Sequence, residues 1–123
     1  MPAERIGLGI RRRYWESLKG AEQYVQLKKE LEDQIASGLR DSAALAQLLR
    51  GDMFLAQGQK NEALLDYLRT VVLYEQVKEI QPEALLKASR LLEELRDPRA
   101  ADMKKKLIAT YPNSAEAKKA AGG

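Results

Sequence analysis

Apolar residues return every three or four positions over most of the chain, the spacing that places them on one face of an α-helix. Tyr24, Leu27, Leu31 and Ile35 form one such stripe, with Lys28, Lys29, Glu30, Glu32 and Asp33 around the rest of the surface, and predict a helix over 21–37. A second helix is expected over 43–57, where Leu45, Leu48, Leu49 and Leu55 fall on one side. A third runs from 61 past Tyr74 to about residue 80, with Leu64, Tyr67, Leu68 and Val71 facing inward. Pro82 suits the first turn of a helix that carries Ala84, Ala88, Leu91 and Leu95 on one face. Asp97-Pro98 repeats that start signal before Ala100, Met103 and Leu107, and Asn113-Ser114 caps a short last helix.

Between these stripes the punctuation is short and polar. Gly38 marks a helix stop, and Asp41 or Ser42 caps the next helix. Gly58-Gln59-Lys60-Asn61 breaks the next pair, with Asn61 as the cap, and Gly20 marks either a turn or a tight helix contact. Ahead of Gly20, Ile6, Ile10 and Tyr14 share one helical face and Leu8, Trp15 and Leu18 another. Gly7 and Gly9 each weaken a helix there by about 1 kcal/mol relative to alanine, and alternation from Ile6 to Ile10 also fits a short strand. A helix is the expectation, because no other segment offers a strand to pair with. Short connections throughout suit antiparallel helices packed as successive hairpins.

Small and aromatic residues fall in a set order across the central break: Gly51, Phe54, Gly58, Ala63 and Tyr67. This order resembles the tetratricopeptide repeat, a helix-turn-helix unit in which small residues let two helices approach and aromatics fill the space beside them. The chain departs from the pattern at three places: Gln47 stands at the opening tryptophan site, Arg50 at the leucine site and Glu75 at the closing proline. A second copy has Ala100 and Tyr111, 37 residues after Ala63 and Tyr74, with Ala88 at the small site and Pro112 closing it, but Leu91 and Lys104 at the aromatic sites. Leu8-Gly9 and Ala21 echo the unit 42 residues upstream of Arg50-Gly51 and Ala63, with Arg12 and Val25 at the aromatic sites.

The resemblance implies an all-α fold, a right-handed stack of about three antiparallel helix pairs plus a C-terminal helix. These would form a single domain over 1–123, with approximate repeats at 4–37, 41–80 and 82–112 and a terminal helix at 113–121. It implies a non-catalytic scaffold for protein–protein interaction. The segment Thr110 to Ala120 is similar to the repeat endings of bacterial cell-envelope scaffolds, which implies the periplasm or envelope. Without that similarity the cytoplasm is the expectation.

Composition narrows the function classes. At 123 residues, 45% apolar and 32% charged, the chain is long enough for one core and is neither membrane-embedded nor disordered. No apolar run approaches the roughly 20 residues of a transmembrane segment. The amino terminus has its apolar residues before its arginines, the reverse of a secretory signal. With no cysteine and no histidine, disulfides, thiolate nucleophiles and the commonest zinc ligands are excluded. No cofactor is expected. Glu93-Glu94 and the group Glu30, Glu32 and Asp33 have no histidine partner and no glycine-rich phosphate loop, so they are solubilising charges rather than an active site.

Two binding surfaces remain. Arg11-Arg12-Arg13 beside Tyr14-Trp15, extended by Lys104-Lys105-Lys106, has the chemistry of a single-stranded nucleic-acid binder, and a net charge of +3 permits it without arguing for it. Solvated helix turns with core aromatics are the simpler reading, so nucleic acid is the runner-up partner. The resemblance implies instead a concave groove lined by Ile6, Ile10, Leu48, Asp52, Leu85 and Ser89, with Leu45 and Leu55 on the same helix as Leu48. The basic and amide residues with which some family members clamp a carboxylate are missing from these places. An apolar groove suits an amphipathic segment of another protein; the chain's own terminal helix, or a second copy forming a homodimer, would fill it equally well. If Leu48 faces this groove, Leu48→Glu leaves stability nearly unchanged, whereas Ala63→Glu at a tight helix contact unfolds the chain.

Overall fold

The computed structural model describes residues 3–122, and the side chains of 7–122. Among these every regular element is an α-helix: α1 Ala3–Gly20, α2 Tyr24–Ser37, α3 Arg40–Ala56, α4 Lys60–Leu73, α5 Gln81–Glu94, α6 Arg99–Thr110 and α7 Ala115–Gly122. The all-α expectation holds, as does the count of three helix pairs and a terminal helix. Ile6 to Ile10 lies within α1, so the strand alternative is not realised. The chain forms two compact units, Met1–Asp66 and Tyr67–Gly123, whose boundary falls within α4.

In the first unit α1 and α2 pack against α3 and against each other. Of the two faces on α1, one has Trp15 buried with Leu8 and Leu18 half-buried, while Ile10 and Tyr14 on the other are exposed. Leu27 and Leu31 from α2 and Leu45, Leu48 and Met53 from α3 are almost fully removed from solvent. Each such side chain contributes roughly 1.5–3 kcal/mol of hydrophobic stabilisation. In the second unit α5 packs on α6, and α7 packs on both, around Leu85, Leu91, Leu92, Leu107, Ala117 and Ala120.

The first helix of every pair ends in the same way. At Glu22, Gly58 and Arg96 the backbone turns left-handed, with φ of 58°, 77° and 58°. The next amide along the chain reaches back across the last helical turn in each case: Gln23 N–H donates to the Leu18 carbonyl at 2.9 Å, Gln59 to Phe54 at 2.8 Å and Asp97 to Leu92 at 2.8 Å. The left-handed residue itself donates inside that ring, to Lys19, Leu55 and Glu93, each at 3.0 Å. This is the Schellman arrangement, which satisfies the last carbonyls of a helix. Only one of the three positions carries the glycine that the geometry favours. Gly58 therefore serves as a turn residue, exposed and with nothing within 4 Å of an added Cβ, and not as a packing site. Gly20 likewise has open space beside it and is no tight contact.

Several helix ends differ from expectation. α2 begins at Tyr24, after the turn at Glu22, and not at residue 21. Gly38 does come directly after α2, but its backbone is extended; a side chain there would collide with the Gln34 carbonyl and amide group. Gln34 Nε2 instead donates to Ser42 Oγ at 3.0 Å, and Ser42 Oγ donates to the Leu39 carbonyl at 3.0 Å. Neither Asp41 nor Ser42 caps α3, because the helix already starts at Arg40 with Leu39 at the cap position. Asn61 similarly lies inside the first turn of α4.

The largest difference is at the end of α4, which stops at Leu73. Val77 and Ile80 are buried but belong to consecutive turns, with Val77 N–H donating to the Tyr74 carbonyl and Ile80 N–H to Val77, both at 3.0 Å. Their spacing imitates a helical stripe. Gln81, only 1% exposed, points its Nε2 at the carbonyls of Thr70 and Tyr74, at 2.9 and 2.8 Å, and so satisfies the end of α4 from the start of α5. Pro82 does sit in the first turn of α5. Asp97 Oδ1 accepts the Arg99 N–H at 2.9 Å to start α6, and Ser114 Oγ accepts the Ala117 N–H at 3.0 Å to cap α7.

Candidate functional site

The residues expected to line an apolar groove do not share one accessible surface. Leu45, Leu48 and Leu85 are at most 2% exposed and Ser89 is buried, with its hydroxyl donating to the Leu86 carbonyl at 2.9 Å. A side chain with no accessible surface offers nothing to a partner, so the three leucines belong to the core, whereas Ser89 borders a concavity of the second unit. Asp52 is half-buried, while Ile10 and Leu55 are exposed. The Ile6 side chain lies outside the described residues. Among the expected packing residues, Gly51, Ala63, Tyr67 and Ala88 are buried, whereas Phe54 and Ala100 are half-buried.

A polar centre that the periodicity does not announce lies in the first unit. Asp66 on α4 is fully buried; Gln47 Nε2 donates to its Oδ1 at 2.6 Å, and Arg50 grips both oxygens, Nε to Oδ2 and a terminal nitrogen to Oδ1, each at 2.9 Å. The other terminal nitrogen of Arg50 reaches Glu32 on α2 at 3.3 Å. The hydrogen bond to Asp66 holds the guanidinium above its ordinary range, against the opposing effect of burial. Lys28 and Arg50 also approach the Phe54 ring to 6.0 and 5.9 Å of its centroid, within reach of cation–π attraction. Gln47 and Arg50 stand at two of the positions where the chain departs from the repeat pattern. The departures are coupled: both side chains serve one buried carboxylate.

The two aromatics beside the basic cluster of α1 differ in exposure, and only Tyr14 reaches solvent. Trp15 is 5% exposed, so its ring is committed to the core. Tyr14 donates to Glu30 Oε2 at 2.9 Å and accepts from Gln26 Nε2 at 3.1 Å. The Glu30 carboxylate raises the Tyr14 phenol above its ordinary value. Arg12 pairs with Glu16 one turn later at 3.3 Å.

In the second unit two concavities open beside each other. One, of about 100 Å³, lies among α5, α6 and α7, with Arg90, Glu93, Lys104 and Lys119 at its walls and Leu86 and Ser89 beneath. The other is wider and shallower, about 390 Å³, and is bounded by Arg96, Asp97 and Ala101. Glu93 and Lys104 line both. Sequence reasoning missed Arg90, Arg96 and Lys119, because isolated basic residues on two helices and a turn carry no local motif.

Among the described residues no three acidic side chains converge to hold a metal ion, and no helix is long and apolar enough to cross a membrane. Compared with family models, with curated proteins and with solved structures, the chain finds no match.

Proposed function

We propose that the chain is a non-catalytic helical-repeat module of the tetratricopeptide type that holds a segment of another protein. The observation that carries this reading is the recurrence of one chain reversal. Left-handed residues closing a Schellman ring stand at 22, 58 and 96, at the end of α1, α3 and α5, intervals of 36 and 38 residues. A repeating supersecondary unit is the signature of solenoid proteins, whose use is the presentation of extended binding surfaces. The commitment of Asp66, Arg50 and Gln47 to one another adds support, since these buried polar groups are spent on joining helices. Placement in a bacterial cell envelope rests on the likeness of the segment Thr110 to Ala120 alone.

The test is photo-crosslinking in cells of the source organism, followed by reconstitution from purified components. A single protein that forms a stoichiometric, saturable complex is the expected result. A second copy of the chain as the crosslinked species would make the module a self-associating one, and sedimentation equilibrium would show it. Crosslinks to nucleic acid, with oligo-dT binding that falls steeply with salt and disappears when Arg11, Arg12 and Arg13 are changed to Glu, would overturn the reading.

A further inference from the structure

The paired clefts of the second unit have an unusual charge arrangement. Arg90, Arg96, Lys104 and Lys119 line them, from α5, its C-terminal turn, α6 and α7. None of these four cations makes a hydrogen bond or ion pair through its side chain among the described residues. Two other cations of the same unit are matched, Lys87 with Glu83 at 2.7 Å and Arg99 with Asp97 at 2.9 Å. In a chain with 18 acidic residues against 21 basic ones, partners are not scarce. The lining carries these four cations against two carboxylates, Glu93 and Asp97, of which Asp97 is already paired with Arg99, and a concavity with a surplus of positive charge favours an anion. Arg96 adds a second sign. It occupies a left-handed position where glycine would relieve backbone strain, and its side chain borders the cleft.

The lining also discriminates among anions. No aromatic side chain borders either cleft, so a nucleobase finds no ring to stack on. Glu93 stands where the two clefts meet and is itself unpaired among the described residues. A phosphodiester chain would only be repelled by that carboxylate, whereas a polypeptide carries backbone N–H groups for it to accept. We propose that this double cleft docks an acidic segment of a partner protein, its Asp or Glu side chains held by Arg90, Arg96, Lys104 and Lys119. This rests on the interaction-module reading and gives it a site and a partner chemistry.

Fluorescence anisotropy at low salt tests it, with a fluorescein-labelled oligoglutamate peptide as the probe and oligoglutamine and oligo-dT as comparisons. Oligoglutamate binds and oligoglutamine does not. Lys104→Ser combined with Lys119→Ser weakens oligoglutamate about tenfold, as expected for two partly solvated charge pairs. Arg96→Gly is the decisive variant, because it weakens binding while raising the melting temperature, so that loss of affinity cannot be attributed to misfolding. Arg11→Ser with Arg13→Ser, on the other unit, leaves affinity unchanged. Absence of oligoglutamate binding, binding indifferent to the cleft variants, or tighter capture of oligo-dT through the same four side chains would each overturn the proposal. A crosslinked protein partner that binds equally well to the Lys104→Ser/Lys119→Ser variant would preserve the interaction reading and remove only this site.

Discussion

At the scale of single residues, the three chain reversals form a matched set in which backbone geometry is shared and side chain is not. A left-handed conformation costs an L-residue roughly 1–2 kcal/mol, part of which glycine gives back through its greater freedom in the unfolded chain. Glu22→Gly and Arg96→Gly should therefore each stabilise the fold by about 0.5–1 kcal/mol, read as a rise of a few degrees in Tm. Gly58→Ala should lose a similar amount. Asp97 makes a different prediction. Its hydrogen bonds to the Arg99 side chain and backbone hold its carboxyl below the ordinary range. A carboxyl depressed in the folded state stabilises above its unfolded pKa of about 3.9, and that contribution disappears as pH falls through the lower folded value. Melting curves recorded below about pH 4 should show Asp97→Ala with a smaller acid-induced fall in Tm than the parent chain.

At the scale of elements, helix existence is legible because most stripes are buried by a neighbour directly along the chain. Leu27 and Leu31 on α2, or Leu64 and Tyr67 on α4, fall on the expected faces. Ends are less legible. Val77 and Ile80 continue the spacing of α4 to about residue 80, although they are buried in turns and not in a helix. The end of α4 is satisfied by Gln81, a partner that comes from the next helix and has no local signature. The Asp66 centre is hidden for the same reason. Its three closest groups come from two helices, and each reads singly as a polar interruption. Removing one member of a buried ion pair strands the other charge, so Arg50→Met should cost about 3–5 kcal/mol in urea unfolding, a large share of the roughly 5–15 kcal/mol that holds a domain together. Changing Gln47 and Asp66 to Leu in the same chain should restore most of that loss, because no buried charge then remains.

At the scale of the whole molecule, the expected apolar groove and the observed burial make opposite predictions for the same substitutions. Periodicity identifies which residues share a helix face, but not how many neighbours cover it: α3 packs against both α1 and α2, and α5 against both α6 and α7. Leu48 and Leu85, one in each unit, fall on the expected binding surface for that reason, and both are 0% exposed. Leu48→Glu and Leu85→Glu should each abolish most helicity by circular dichroism, since they combine a lost leucine, worth about 2–5 kcal/mol, with an unpaired buried carboxylate. The tolerance expected for Leu48→Glu is thereby replaced by the outcome expected for Ala63→Glu. Ile10→Glu, at a side chain 64% exposed, is the control and should leave the circular dichroism spectrum and Tm close to those of the parent. If Leu48→Glu folded normally and lost only partner binding, the groove would be open in solution and Leu48 would be its contact. Collapse of both core variants with survival of Ile10→Glu removes Leu48 and Leu85 from the set of partner contacts, and leaves recognition to side chains that reach solvent.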